Sequence, residues 1–185
     1  MAIKRLFIAN RGEIAVRIIR AAKAMGVHTI QAYSEADADM LAVRLADEAV
    51  CIGPAQAALS YLNVEGMVAA AKAAHADAVH PGYGFLAENA GFVRALDAAG
   101  IIFVGPSADT IDAMGDKVSA RQAAQAAGVP VVPGSKGRVE TIDDAVDVAA
   151  KIGYPVMIKA AAGGGGKGIR IADTEAELRK MAPQA

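Results

Sequence analysis

A chain of 185 residues, 54% of them hydrophobic and 21% charged, has the composition of a core-forming globule and excludes a disordered segment. Lys and Arg total 19 against 20 for Asp and Glu, a balance that offers no field to a polyanion, so no nucleic-acid partner is expected. No run approaches the roughly 20 apolar residues of a membrane span, and the N-terminal apolar stretch is too short for a signal peptide; no membrane is expected, and the expected location is cytoplasmic.

Leu6-Phe7-Ile8-Ala9 reads as a first strand. A helix follows, with Ile14, Ile18, Ala21, Ala22 and Met25 on one face, Glu13 in its first turn, Lys23 near its end and Gly26 as its stop. Val27 to Ile30 and Ala49 to Ile52 are further strand candidates. The single cysteine, Cys51, lies in the second of these and reads as a small buried hydrophobe. Asn63 is a good N-cap for a helix carrying Val64, Met67, Val68 and Ala71 at helical spacing. Ala78-Val79-His80 is a strand stopped by Pro81, Glu88 to Ala99 a helix, and Ile101 to Val104 a strand ended by Gly105-Pro106. Strands alternating with helices over short connections predict an α/β domain, a parallel sheet covered on both faces.

From about 107 to 128 the pattern is helical, with Ser107 or Asp109 opening one helix and Asp116 capping a second. Pro130 and Pro133 then break the chain. Thr141-Ile142-Asp143-Asp144 and Thr174-Glu175-Ala176-Glu177 resemble capping boxes. Between them lie two strand candidates, Val156 to Ile158 and Ile169 to Ile171, joined through a glycine run.

That run, Gly163-Gly164-Gly165-Gly166-Lys167-Gly168, fails the G-x-x-x-x-G-K-[ST] pattern at Ala161 and Gly168. It fits G-x-G-x-x-G at Gly163, Gly165 and Gly168, but a strand follows where that fingerprint requires a helix, which disfavours an NAD-binding domain. What remains is a glycine loop between antiparallel strands, able to lie close over phosphates and offer N–H groups to them. The alternative is a plain flexible hairpin tip, although a tip needs fewer than five glycines in six positions. Lys159 and Lys167 bracket the loop with positive charge. A lysine following Val156-Met157-Ile158, a strand expected to be largely buried, is costly unless it meets an anion; snorkelling is its other reading. Lys117, read by itself, is an ordinary solvated charge. Asn10-Arg11-Gly12-Glu13 lacks the glycines of a phosphate cradle and reads as a helix entry with Glu13 pairing Arg17. No metal-ligand spacing is present.

Four segments in this order, Ile8-Ala9-Asn10-Arg11-Gly12-Glu13-Ile14, His80-Pro81-Gly82-Tyr83-Gly84-Phe85-Leu86-Ala87-Glu88-Asn89, Met114-Gly115-Asp116-Lys117 and Gly153-Tyr154-Pro155-Val156 through Gly168, resemble biotin carboxylase. The resemblance covers essentially the whole chain. It implies a Rossmann-like domain over 1–105, a helical linker over 106–132 and an incomplete ATP-grasp lid over 133–185. It implies that Lys117, Lys159, Lys167 and the loop Gly163, Gly164, Gly165 and Gly166 contact ATP, with Mg²⁺ ligands and catalytic groups elsewhere in a longer enzyme. That enzyme would use ATP and bicarbonate to carboxylate biotin on a carrier protein or domain, ahead of a carboxyltransferase, and the 185 residues alone would be inactive. Gly82, Tyr83 and Gly84 would face the biotin side, or else form a well-packed structural turn with His80 serving a backbone hydrogen bond. Arg20 matches an arginine that the family places at its homodimer interface, while Ala24 stands where some members carry glutamate. Two other readings are another ATP-grasp ligase, of the carbamoyl-phosphate synthetase group, and a non-catalytic binding or assembly module.

Overall fold

The structure is a computed structural model describing residues 2–135, 137–159 and 169–184. The chain divides into two compact units, Met1–Gly115 and Asp116–Ala185.

The first unit is organised by strand β1 (Arg5–Ile8). Side chains alternate across a strand, and here both faces are apolar: Leu6 and Ile8 point into one core cluster, Phe7 and Ala9 into the other. Such a strand belongs at the centre of a sheet sandwiched by helices. Around it lie α1 (Gly12–Ala24), β2 (His28–Tyr33), a short α2 (Leu41–Leu45), β3 (Glu48–Cys51), α3 (Val64–Ala73), β4 (Ala78–His80), α4 (Ala90–Ala98), β5 (Ile102–Phe103) and α5 (Ala108–Gly115). The five strands are parallel, in the order β3-β2-β1-β4-β5. Ala15, Ile18, Ile19 and Ala22 of α1, with Ala42 of α2, cover one face. Met67 and Ala71 of α3, with Phe92, Val93 and Leu96 of α4, cover the other. Phe7, Ile8, Ile19, Ile30 and Phe92 are fully buried, each contributing about 1.5–3 kcal/mol by leaving water. This is the expected doubly covered α/β sheet.

Local signals set the helix ends. Asn63 and Asn89 accept hydrogen bonds from Gly66 N and Phe92 N, capping α3 and α4. Cys51, expected to be buried, is exposed. Its strand β3 lies at the edge of the sheet, and Glu48 and Ala49 beside it are exposed too. An edge strand leaves apolar positions open that a central strand would bury.

The second unit contains α6 (Lys117–Ala126), α7 (Ile142–Ile152), β6 (Val156–Ile158), β7 (Arg170–Ala172) and α8 (Glu175–Met181). Strands β6 and β7 pair antiparallel, with Met157 opposite Ile171, as the sequence predicts. Ala149, Val156, Ala172 and Leu178 form a small core. Asp116, Thr141 and Thr174 cap α6, α7 and α8 by accepting from the N–H three residues on. Neither threonine completes a reciprocal box. The Thr141 hydroxyl donates to Asp144, and Glu177 accepts from Asp173 N, one residue before the cap. No helix among the described residues is long and apolar enough to cross a membrane.

Candidate functional site

In the order β3-β2-β1-β4-β5 the chain runs outward from β1 in one direction, then returns to β4 and continues in the other. The connections leaving the C-terminal ends of β1 and β4 therefore diverge to opposite faces and open a crevice, the place where open α/β sheets bind ligands. The segment Asn10–Glu13 leaves β1 there, and His80–Phe85 leaves β4.

The two segments are tied together. Asn10 is 3% exposed, and its Nδ2 donates to the carbonyls of Pro81 at 2.6 Å and Tyr83 at 2.8 Å. Its own carbonyl accepts from Gln31 Nε2 at 2.6 Å. Gly82 has φ +64°, and a Cβ there would stand 2.9 Å from Asn10 Nδ2, so only glycine satisfies both the backbone conformation and the close approach. His80 Nδ1 accepts from Gly82 N at 3.0 Å, which makes the ring the Nε2–H tautomer when neutral. Burial pushes its pKa below the ordinary imidazole value. The His80 hydrogen bond agrees with the structural-turn reading, while Tyr83, 62% exposed, and Gly84 face outward.

Glu13, expected to pair with Arg17, instead accepts the Tyr83 hydroxyl and makes no ion pair with Arg17 among the described residues. A partner four residues along the helix is always within reach, but the turn brings in a neutral donor from 70 residues away. That bond, with the nearby Glu13 charge, raises the Tyr83 pKa.

Behind the turn lies a second cluster that the sequence reading missed. Asp37, 2% exposed, receives Arg11 Nη1 at 3.1 Å, the Ser34 hydroxyl at 2.8 Å and the Tyr61 hydroxyl at 2.7 Å. Burial opposes its ionisation, but the two hydroxyls and Arg11 outweigh it and hold the carboxyl below the usual range. Burial and the Asp37 bond push Tyr61 up to about 12. The Tyr61 ring stacks on Phe85, centroids 4.9 Å apart, and the Arg11 guanidinium lies 5.7 and 5.9 Å from the two rings, within cation–π range. Asp37 ends a one-turn 3-10 helix, Glu35–Asp37, and Tyr61 sits in a turn; both segments are too short to show periodicity, so a polar residue there gave no signal of burial.

Arg20 lines an open groove of about 630 Å³ along α1 with Glu13, Arg17, Met40 and Leu41. In the second unit, Lys117 is the first residue of α6 behind its Asp116 cap. Lys159 follows the last residue of β6 and is exposed. The strand before it is not largely buried as expected: Val156 is buried, while Met157 is 54% exposed, because a two-stranded sheet has too few partners to cover both faces. The cost of burying a lysine therefore no longer argues for an anion; its exposure leaves it free to meet one. Gly163, Gly164, Gly165, Gly166 and Lys167 lie outside the described residues. Among the described residues no group of three or more His, Cys, Asp or Glu is arranged to hold a metal ion.

Residues 2–111 match the family described as biotin carboxylase, N-terminal domain, and residues 116–185 the carbamoyl-phosphate synthase L chain, ATP binding domain. Biotin carboxylase 1 of Bacillus subtilis (strain 168) is 60% identical over 95% of this chain and 39% of its own length. The propionyl-CoA carboxylase alpha chain of Ruegeria pomeroyi is 54% identical over 95% of this chain and 26% of its own. Among solved structures, a biotin carboxylase–β-γ-ATP complex from Campylobacter jejuni superposes with a TM-score of 0.89, at 50% identity over 97% of this chain and 40% of that one. The biotin carboxylase domain dimer of Hydrogenobacter thermophilus 2-oxoglutarate carboxylase, with MgADP, ADP and bicarbonate, gives 0.86 at 47% identity, over 97% of this chain and 40% of that one. The chain thus spans about 40% of the length of its biotin carboxylase relatives.

Proposed function

Because the chain belongs to the biotin carboxylase family, shown by the match over residues 2–111, we propose that it serves as the leading part of an ATP-dependent biotin carboxylase. In this reading the whole enzyme activates bicarbonate with ATP and Mg²⁺ and carboxylates biotin held on a carrier protein or domain, for a carboxyltransferase to use. The ATP-binding match over 116–185 is shared with the carbamoyl-phosphate synthase group; the match over residues 2–111 is what favours biotin.

The observation that carries the site assignment is the convergence of Asn10 and the Pro81–Tyr83 turn at the sheet's switch point. Exposed Tyr83, between Gly82 and Gly84, is taken as the biotin-side surface. Residues 106–132 are read as the linker and 133–185 as the beginning of an ATP-grasp lid. Lys117, Lys159, Lys167 and Gly163–Gly166 are assigned to the nucleotide phosphates. Exposed Lys159 suits that role, since a fixed cation stabilises charge on a transferring phosphoryl group. Bound Mg²⁺ would supply further charge neutralisation there, from ligands elsewhere in the enzyme. A cytoplasmic location and a homodimer, with Arg20 at its interface, complete the proposal.

The test is ATP turnover by the full carboxylase chain with bicarbonate, with and without free biotin. Biotin stimulation supports the reading, and bicarbonate-dependent turnover indifferent to biotin overturns it. Lys159→Ala should weaken nucleotide binding by at least about tenfold, ~1.4 kcal/mol; unchanged affinity removes Lys159 from the site. Residues 1–185 alone should not turn over.

A further inference from the structure

We propose that Arg11 is a positioning residue for the Gly82–Gly84 turn: locked on Asp37, its guanidinium backs the Tyr61–Phe85 ring pair and so fixes where Tyr83 stands. The inference rests on the reading above in one respect, that the turn faces biotin.

Phe85 has φ +44°, a left-handed conformation that a residue with a bulky side chain keeps only when its surroundings hold it. Phe85 packs against the larger core cluster of the first unit, which includes Tyr61. The Phe85 ring is stacked on Tyr61 at an interplanar angle of 19°. Tyr61 is 1% exposed and cannot shift, because its hydroxyl donates to Asp37 and accepts from Ser34 N at 3.0 Å. Arg11 closes the arrangement. Its Nη1 reaches both Asp37 oxygens, at 3.1 and 3.3 Å, and its carbon centre lies within 6 Å of both ring centroids. A planar guanidinium serves both contacts at once, which an ammonium does not.

The same segment holds the turn from its other side. Asn10 fixes the carbonyls of Pro81 and Tyr83, and Glu13 takes the Tyr83 hydroxyl. Arg11 lies between these two residues in sequence, so one rigid strand-to-helix junction sets the backbone, the ring support and the hydroxyl of the turn. Arg11 is not the sole partner of Asp37. Its side chain is 49% exposed, and without it Asp37 keeps the Ser34 and Tyr61 hydroxyls.

Arg11→Met keeps the apolar stem and removes the guanidinium; Arg11→Lys keeps the charge and loses the plane. In the full carboxylase chain, Arg11→Met should raise KM for free biotin roughly tenfold while KM for ATP moves less than about twofold. Arg11→Lys should recover part of that loss. Equal changes in both KM values, no change in either, or a loss confined to thermal stability would each overturn the positioning role. The second measurement uses residues 1–185 and needs no turnover: in ¹H–¹⁵N spectra of Arg11→Met, the amides of Gly82, Tyr83 and Gly84 should shift or broaden, and unchanged signals overturn the inference. If the wild-type enzyme shows no biotin-dependent turnover, the functional reading fails, and these amide signals still decide whether Arg11 orders the turn.

Discussion

The Asn10 side-chain amide donates to the Tyr83 carbonyl at 2.8 Å, across 73 residues of sequence, and to the Pro81 carbonyl at 2.6 Å. Asn10 is 3% exposed, so water cannot readily replace it as donor. Asn10→Ala should destabilise the protein by roughly 2 kcal/mol, the scale of leaving buried polar groups unmet. Asn10→Asp should cost more, because a carboxylate would face two carbonyl oxygens at closed-in distance. Urea midpoints of the three proteins check this; an Asp variant as stable as Ala would show that the donor at Nδ2 is not what holds the turn.

Gly82 and Gly84 separate two reasons for glycine. Their φ values are alike, +64° and +70°, but a Cβ on Gly82 would stand 2.9 Å from Asn10 Nδ2, while one on Gly84 meets nothing within 4 Å. Gly84→Ala should therefore cost only the conformational strain, about 1–2 kcal/mol. Gly82→Ala should cost that plus displacement of Asn10, and should move the Asn10 side-chain amide signals. Equal losses in denaturant unfolding would mean that the close approach carries no energy.

These two sites mark where the sequence stops being legible. Helix caps at Asn63, Asp116, Thr141 and Thr174 join residues three apart, so local pattern reveals them; Asn89, read as lying inside a helix from Glu88, is the cap of α4 instead. The central strand is equally plain, since Leu6 to Ala9 is apolar at every position. Arg11–Asp37 and Tyr61–Phe85 join residues 26 and 24 apart through turns, a helix entry and a one-turn 3-10 helix, and nothing in either segment announces the other. Glu13 shows the hazard of local reasoning: Arg17 is the geometric neighbour, and Tyr83 is the partner.

Cys51 offers a direct check on the edge of the sheet. Its thiol is exposed on β3 and contacts the Gly53 carbonyl at 3.9 Å, at the outer limit of a sulfur hydrogen bond. A thiol reagent should modify the native protein at a rate within about tenfold of the urea-unfolded chain, without lowering Tm, because exposure and thiolate fraction govern thiol reactivity. Protection by several orders of magnitude would restore the buried strand that the sequence alone suggested.

His80 makes the turn sensitive to acid. Its Nδ1 must be unprotonated to accept from Gly82 N at 3.0 Å, and burial lowers its pKa below the ordinary imidazole value, about 6.5. Above that value folded and unfolded chains are both neutral at this residue, and its contribution to stability is whole. As pH falls below it, the unfolded chain binds the proton first, so stability declines until the folded value is reached and is constant beyond. Asp37, Asp47 and Asp77 have lowered values; the stability they contribute is present above the unfolded carboxylate value, near 4, and lost below it. The interval from about pH 7.5 to about pH 5 therefore separates His80 from these carboxylates. In that interval the urea midpoint of the wild type should fall, while the Gly82 amide of the folded protein keeps its hydrogen-bonded shift until the pH reaches the lower, folded value of His80. His80→Asn offers an amide oxygen near the place of Nδ1 with no proton to gain, and its midpoint should be flatter over the same range. A variant with the wild-type slope would assign the acid sensitivity to some other group.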